Sequence, residues 1–149
     1  MYNTIERVVH VSERIAEFKD IEIICNSSIN FALIKVGKFK MEQTIFNLVK
    51  MSVDYISTHT QINIHESFDS NSDLVMTIQS IGTPFEYDNT SKILSLAQNF
   101  NHINNLEEND IILLLAHSFI KLHGAKLNLR SKNNTNKIEL ILPANRVII

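Results

Sequence analysis

The residues with the clearest chemical potential lie in one stretch, KFKMEQTIFNLVKMSVDYIS, residues 38–57. Gln43 and Asn47 are one helical turn apart and share a face. Where another asparagine is expected in the series stands Met51, whose thioether does not suit a hard cation. The stretch reads as a helix shaped to hold a metal ion and a nucleotide, with one ligand missing. Other chemistry is weaker. His59, His65, His102, His117 and His123 have no metal-ligand spacing, and His117 and His123, six apart on one helix, face different directions. His10 reads as a surface or packing histidine. No Ser-His-Asp arrangement can be argued. Cys25, the single cysteine, cannot form an intrachain disulfide and in IEIIC reads as a small buried hydrophobe.

The elements that must position these residues belong to a chain of 149 residues, 44% hydrophobic, which suits one domain over 1–149. Fourteen basic and sixteen acidic side chains leave a formal charge of −2, which gives no electrostatic reason to expect nucleic acid. No run approaches the ~20 apolar residues of a membrane helix. The charged N-terminus lacks a secretory core, so a cytoplasmic location is expected.

Apolar positions Ile5, Val8, Val9, Ile15 and Ala16 predict an amphipathic helix over about 4–18. Two β-rich runs follow, IEIICNS and INFALIKV. The helix of 39–57 has the stripe Met41, Ile45, Leu48, Val49, Ser52 and Ile56. QINIHESF and LVMTIQSI flank the turn DSNSD as two strands. Residues 82–109 form a long polar stretch with one helical piece, SKILSLAQNF. A last apolar helix over 110–123 stops at Gly124, with Asp110 as its N-cap. AKLNLRSK and NKIELILP then pair around the turn NNTN. This order predicts a two-layer α/β sandwich, one mixed sheet with helices on one face.

Three of these segments together resemble the catalytic and ATP-binding domain of sensor histidine kinases, the Bergerat or GHKL fold, over nearly the whole chain. In KMEQTIFNLVKMSVDY, residues Lys40, Met41, Gln43, Ile45, Asn47, Leu48 and Tyr55 match the family helix. Met51 stands where the family has a magnesium-coordinating asparagine, and Asp54 where it has a basic residue. In VMTIQSIGTPFEYDNTSKIL, residues Ile78, Gly82, Ile93 and Leu94 match. Ser80 stands where the family aspartate binds the adenine amino group, and Pro84 replaces a glycine. In DIILLLAHSFIKLHGAKLNLRS, the match runs from Leu113 through Phe119, Ile120, His123, Gly124, Leu127, Leu129 and Ser131. Asp110 and Ile112 replace the family's phosphate-loop glycines.

The resemblance implies a nucleotide pocket at Gln43, Asn47, Met51, Ser80, Gly82, Asp110 and Ile112. It also implies a lid-like loop over about 86–109 carrying Lys92, Leu94, Leu96 and Phe100. The substitutions act against that pocket. A carboxylate on the adenine amino group contributes about 1.5–3 kcal/mol, and Ser80 is neutral and short. Isoleucine is strained at the positive φ that glycine permits, and Asp110 repels phosphate. The lid has Lys92 as its only cation. Losing about three contacts removes several of the ~8 kcal/mol in micromolar affinity. Leu94, Leu96 and Phe100 are expected to fold into the emptied pocket.

The expected function is a degenerate ATPase-like domain, without cofactor, metal or catalysis, that works as an interaction module in two-component-type signalling. The resemblance implies a protein partner, either a kinase helical hairpin or a response-regulator receiver domain. The dimerisation hairpin and phosphorylatable histidine of the family are absent from this sequence. The alternatives are a histidine kinase domain that binds ATP and magnesium through atypical contacts, and an unrelated α/β domain with a small-molecule pocket.

Overall fold

Helical periodicity in the sequence becomes a buried stripe in the structure, a computed structural model that describes residues 2–17, 19–27, 33–57, 59–85 and 108–148. Helix α1 spans Tyr2–Glu17. Its positions Val8, Ser12 and Ala16, spaced by four, are buried against helix α2 and strand β1, Glu22–Ser27. Helix α2, Lys38–Tyr55, buries Met41, Ile45, Leu48, Val49 and Ser52, the stripe expected from the sequence. The helix stops at Tyr55, and Ile56 leaves it to bridge Gly82.

Strands β3, Gln61–Phe68, and β4, Leu74–Ile81, form the expected hairpin. Its turn is closed by Asp69 Oδ1, which accepts from the N–H of Asn71 at 2.8 Å and of Asp73 at 3.0 Å. Helix α3 spans Glu108–His123. Gly124, at φ +67°, ends it in a Schellman turn: the Ala125 N–H donates to Ile120 O at 2.9 Å, and the Gly124 N–H to Lys121 O at 3.4 Å. Strands β5, Lys126–Lys132, and β6, Thr135–Leu142, turn at Asn133 and Asn134, both at positive φ as a type I′ turn requires.

The sheet order is β1-β3-β4-β6-β5, with β1 parallel to β3 and the other pairs antiparallel. Register sets side chains in rows. Ile64, Ile78, Ile138 and Leu129 lie across four strands, all buried. They share one apolar cluster with the inner faces of α1, α2 and α3. The sandwich is therefore two layers, with the helices on one face of a mixed sheet, as expected.

The structure differs from expectation at several places. Of INFALIKV, strand β2 covers Leu33–Ile34 and pairs with β7, Val147–Ile148, outside the main sheet. The C-terminal β7 was not foreseen; two residues are too few to show alternation. Asp110 is not an N-cap, because the backbone is already helical at Glu108. Residues 108 and 109 thus belong to α3 and not to a loop. Cys25 is half-buried, packed at the margin of the core. The helical piece 91–100 and the lid residues Lys92, Leu94, Leu96 and Phe100 lie outside the described residues.

Candidate functional site

Helix α2 presents its polar residues to α3. Gln43 and Asn47 line a groove of about 210 Å³ with Lys40 and Thr44 on the α2 side. The opposite wall is Leu115, Ala116, Ser118, Phe119 and Leu122 of α3. Thr44 and Ser118 bond their own helix, to Lys40 O at 2.8 Å and Leu114 O at 3.0 Å. The side chains left to meet a ligand are therefore the Gln43 and Asn47 amides and the Lys40 ammonium. One wall of the groove is polar and the other apolar.

One turn beyond Asn47 the face changes character. Met51 is 1% exposed and belongs to the apolar core. Lys50, beside it, pairs with Glu108 at the first turn of α3 and ties the two helices together. The hydrogen bond that Lys50 donates to Glu108 raises the Lys50 pKa above its ordinary value. In α3, Ile112 is buried in regular helix, so no tight turn occurs at that position. Asp110 lies in the first helical turn, a position that favours acidic residues.

The end of β4 carries the other expected positions. Ser80 is 3% exposed and faces the helix layer. Across the sheet its row continues through Asn136 and Ser131. This polar row is knitted internally. The Ser131 hydroxyl donates to Asn136 Oδ1 at 2.6 Å, and Asn136 Nδ2 donates to Thr83 O at 2.7 Å. The Phe85 N–H donates to Ser131 Oγ at 2.9 Å. Phe85 also sets its ring edge-on to Tyr55, with centroids 5.1 Å apart. The segment 82–85 is thereby strapped to the sheet end and to the C-terminus of α2.

Gly82 is what permits the strap. A Cβ there would meet Tyr55 O at 2.0 Å and Ile56 Cα at 2.7 Å. The strand end and the helix end are joined on both sides of this contact. The Ser57 N–H donates to Ile81 O at 3.1 Å, and the Thr83 N–H to Tyr55 O at 2.9 Å. Gly82 is thus required by backbone approach.

The structure brings Gln43 and Asn47 together in the groove. It sends Met51 and Ile112 into the interior and sets Ser80 and Gly82 in the knitted sheet end. Asn136 was missed. Asn136 had a signal, because it precedes Ile138, Leu140 and Leu142 at strand period and so had to face inward. Reading NNTN as the turn hid it. Among the described residues no group of histidine, cysteine and acidic side chains could hold a metal ion.

No family model matches the sequence. No curated protein matches it either. Solved structures do. The catalytic domain of the histidine kinase ThkA, in a nucleotide-free form, is 14% identical with a TM-score of 0.77, covering 96% of this chain and 92% of that one. The mycobacterial sensor histidine kinase MprB is 12% identical, TM-score 0.74, covering 96% and 93%. The chain has the fold of a histidine kinase catalytic domain. The Acinetobacter baumannii histidine kinase AdeS extends the likeness to a longer relative: 11% identical, TM-score 0.73, covering 97% of this chain and 64% of that one. At these identities the histidine kinase fold is what is shared, and the site must be judged on its own residues.

Proposed function

We propose that this chain is a degenerate histidine-kinase-type ATPase domain that neither binds ATP nor transfers phosphate. It acts as a cytoplasmic protein-interaction module in two-component-type signalling, with residues 1–149 as one unit. The observation that carries this reading is Met51, 1% exposed and within the core cluster. A metal-coordinating side chain must reach its ion, and this one is enclosed and offers sulfur where magnesium takes oxygen.

The rest of the donor set supports the same reading. Ser80 offers one buried hydroxyl, and the Asn136 amide beside it is engaged at both its oxygen and its nitrogen. Ile112 is helical and buried, so no glycine turn gathers backbone N–H groups for phosphate. Residues so arranged do not fit Mg-ATP, and no step of phosphoryl transfer follows from them.

Docking is supported by the outer side of the helix layer. Val11, Phe39, Leu115 and Leu122 are 56%, 78%, 56% and 69% exposed. Val11 and Phe39 line one groove and Leu115 and Leu122 another, and exposed apolar side chains gathered in one place mark protein contact surfaces. The partner we propose is a kinase helical hairpin or a receiver domain. No helix among the described residues is long and apolar enough to cross a membrane.

One feature favours the second reading, ATP binding through altered contacts: Lys40, Gln43 and Asn47 still line a groove. A thermal shift with millimolar Mg-ATP decides. A ligand at ~100 times its dissociation constant adds about 2.7 kcal/mol. No shift is expected, and a clear magnesium-dependent rise in Tm would establish the second reading instead.

A further inference from the structure

The outward face of the β5–β6 hairpin is unlike the rest of this chain. Its charged residues are Lys126, Arg130, Lys132, Lys137 and Glu139, four cations to one carboxylate in a chain of formal charge −2. Lys126, Arg130 and Lys132 are exposed and alternate with the inward-facing Leu127, Leu129 and Ser131. They point away from the helix layer.

Register makes the crowding worse. Arg130 lies directly opposite Lys137, and like charges across a strand pair are destabilising. One carboxylate serves this cluster. Glu139 accepts from Lys137 at 2.6 Å. That hydrogen bond is the main cause that lowers its pKa, with smaller contributions from Asn128 and Arg130. Lys126 and Lys132 sit opposite Ile141 and Thr135, which offer no counter-charge.

The strand that carries them closes the sheet. β5 is hydrogen-bonded to β6 on one side and is last in the strand order, with no strand on its other side among the described residues. Such an edge is a row of N–H and C=O groups ready to pair with an extended segment.

We propose that β5, Lys126–Lys132, is a docking edge for an acidic segment in extended conformation, which adds to the sheet as a further strand. Main-chain hydrogen bonds supply the pairing, and Lys126, Arg130 and Lys132 select the charge. Lys126 and Arg130 are separated by about 13 Å along the strand, at roughly 3.3 Å per residue. Carboxylates at alternate positions of the added strand fall at matching intervals. Pairing with β5 of a second copy is disfavoured, since it would bring the three cations against their counterparts. Single-stranded nucleic acid is disfavoured for another reason. No phenylalanine or tyrosine faces outward from β3, β4, β5 or β6, so bases have no stacking platform of that kind. The edge is separate from the α2–α3 groove, so this inference stands or falls apart from the loss of ATP binding.

The test uses the full chain and fluorescence anisotropy with a short labelled peptide alternating glutamate and threonine. Saturable binding is expected. It should weaken about tenfold or more in Lys126→Glu/Arg130→Glu/Lys132→Glu, and less in the milder Lys126→Gln/Lys132→Gln. Amide NMR shifts on titration should concentrate in β5. The neutralising variant keeps the test valid if the triple reversal fails to fold. Equal binding of a peptide with the same glutamates but proline at alternate positions would overturn strand addition in favour of plain electrostatics. Tighter binding of a single-stranded oligonucleotide, or no peptide binding at all, would overturn the proposal outright.

Discussion

Gly82 and Asn136 show how far single residues of this fold are committed to structure. A methyl group on Gly82 would occupy the position of Tyr55 O, 2.0 Å away, which is backbone and cannot swing aside. Gly82→Ala is expected to cost about 3 kcal/mol, the upper end for overpacking. That should lower Tm by roughly 6–12 °C in a calorimetric scan. A near-neutral result would show that the helix end and strand end are not in contact. Asn136, 1% exposed, holds Ser131 and Thr83 with its two amide atoms. Asn136→Ala removes the acceptor of the half-buried Ser131 hydroxyl and the donor to the carbonyl of exposed Thr83, two hydrogen bonds worth about 0.5–1.5 kcal/mol each. Chemical denaturation should find a loss of about 1–3 kcal/mol, and protease sensitivity should rise near residues 82–85.

At the scale of elements, the two helices around the groove and the terminal hairpin depend on different forces. α2 and α3 meet through buried apolar stripes, joined at one end by Lys50 and Glu108. That exposed pair contributes little against the packing. The β5–β6 hairpin carries its charge on the water side, where Glu139 balances Lys137. The Glu139 carboxyl is held below its ordinary pKa of 4.5. Its contribution is therefore present above about pH 4.5 and is lost as pH falls through the lower, folded value. Glu139→Gln should reduce stability by about 0.2–1 kcal/mol at neutral pH. The difference from the parent should vanish in strong acid. Denaturation curves at pH 7 and at pH 2 check this, and an equal loss at both would mean that the carboxylate charge plays no part.

At the scale of the whole molecule, several positions that the family resemblance assigns to a pocket are buried. Met51 and Ile112 are buried, and Ser80 lies in a row completed by Asn136 and Ser131. Returning the family residues one by one therefore places polar atoms where the fold has none to match them. The triple substitution Met51→Asn, Ser80→Asp, Ile112→Gly is expected to lower Tm by at least 10 °C, because a buried amide and a buried carboxylate each lack a ready partner. It should show no stabilisation by Mg-ATP. A well-folded triple variant with micromolar ATP affinity would contradict the proposal that the site is closed by packing.

The sequence by itself determined the main helices and the inward faces of the long strands. Period-four stripes such as Met41, Ile45 and Val49, and alternation such as Ile62, Ile64 or Ile138, Leu140, Leu142, identified α2, β3 and β6, because water exclusion acts on each residue according to its own side chain. Gly124 marked the end of α3 for a local backbone reason. The match of Gln43, Asn47 and Gly82 to a known family pattern named candidate positions in advance. Only the tertiary structure decided what those positions do. That Met51 is enclosed and Asn47 lines a groove depends on what packs against α2. That Gly82 answers to Tyr55, and Asn136 to Thr83, depends on contacts 27 and 53 residues apart along the chain. Pairings so distant are fixed by packing and register, and no local pattern encodes them.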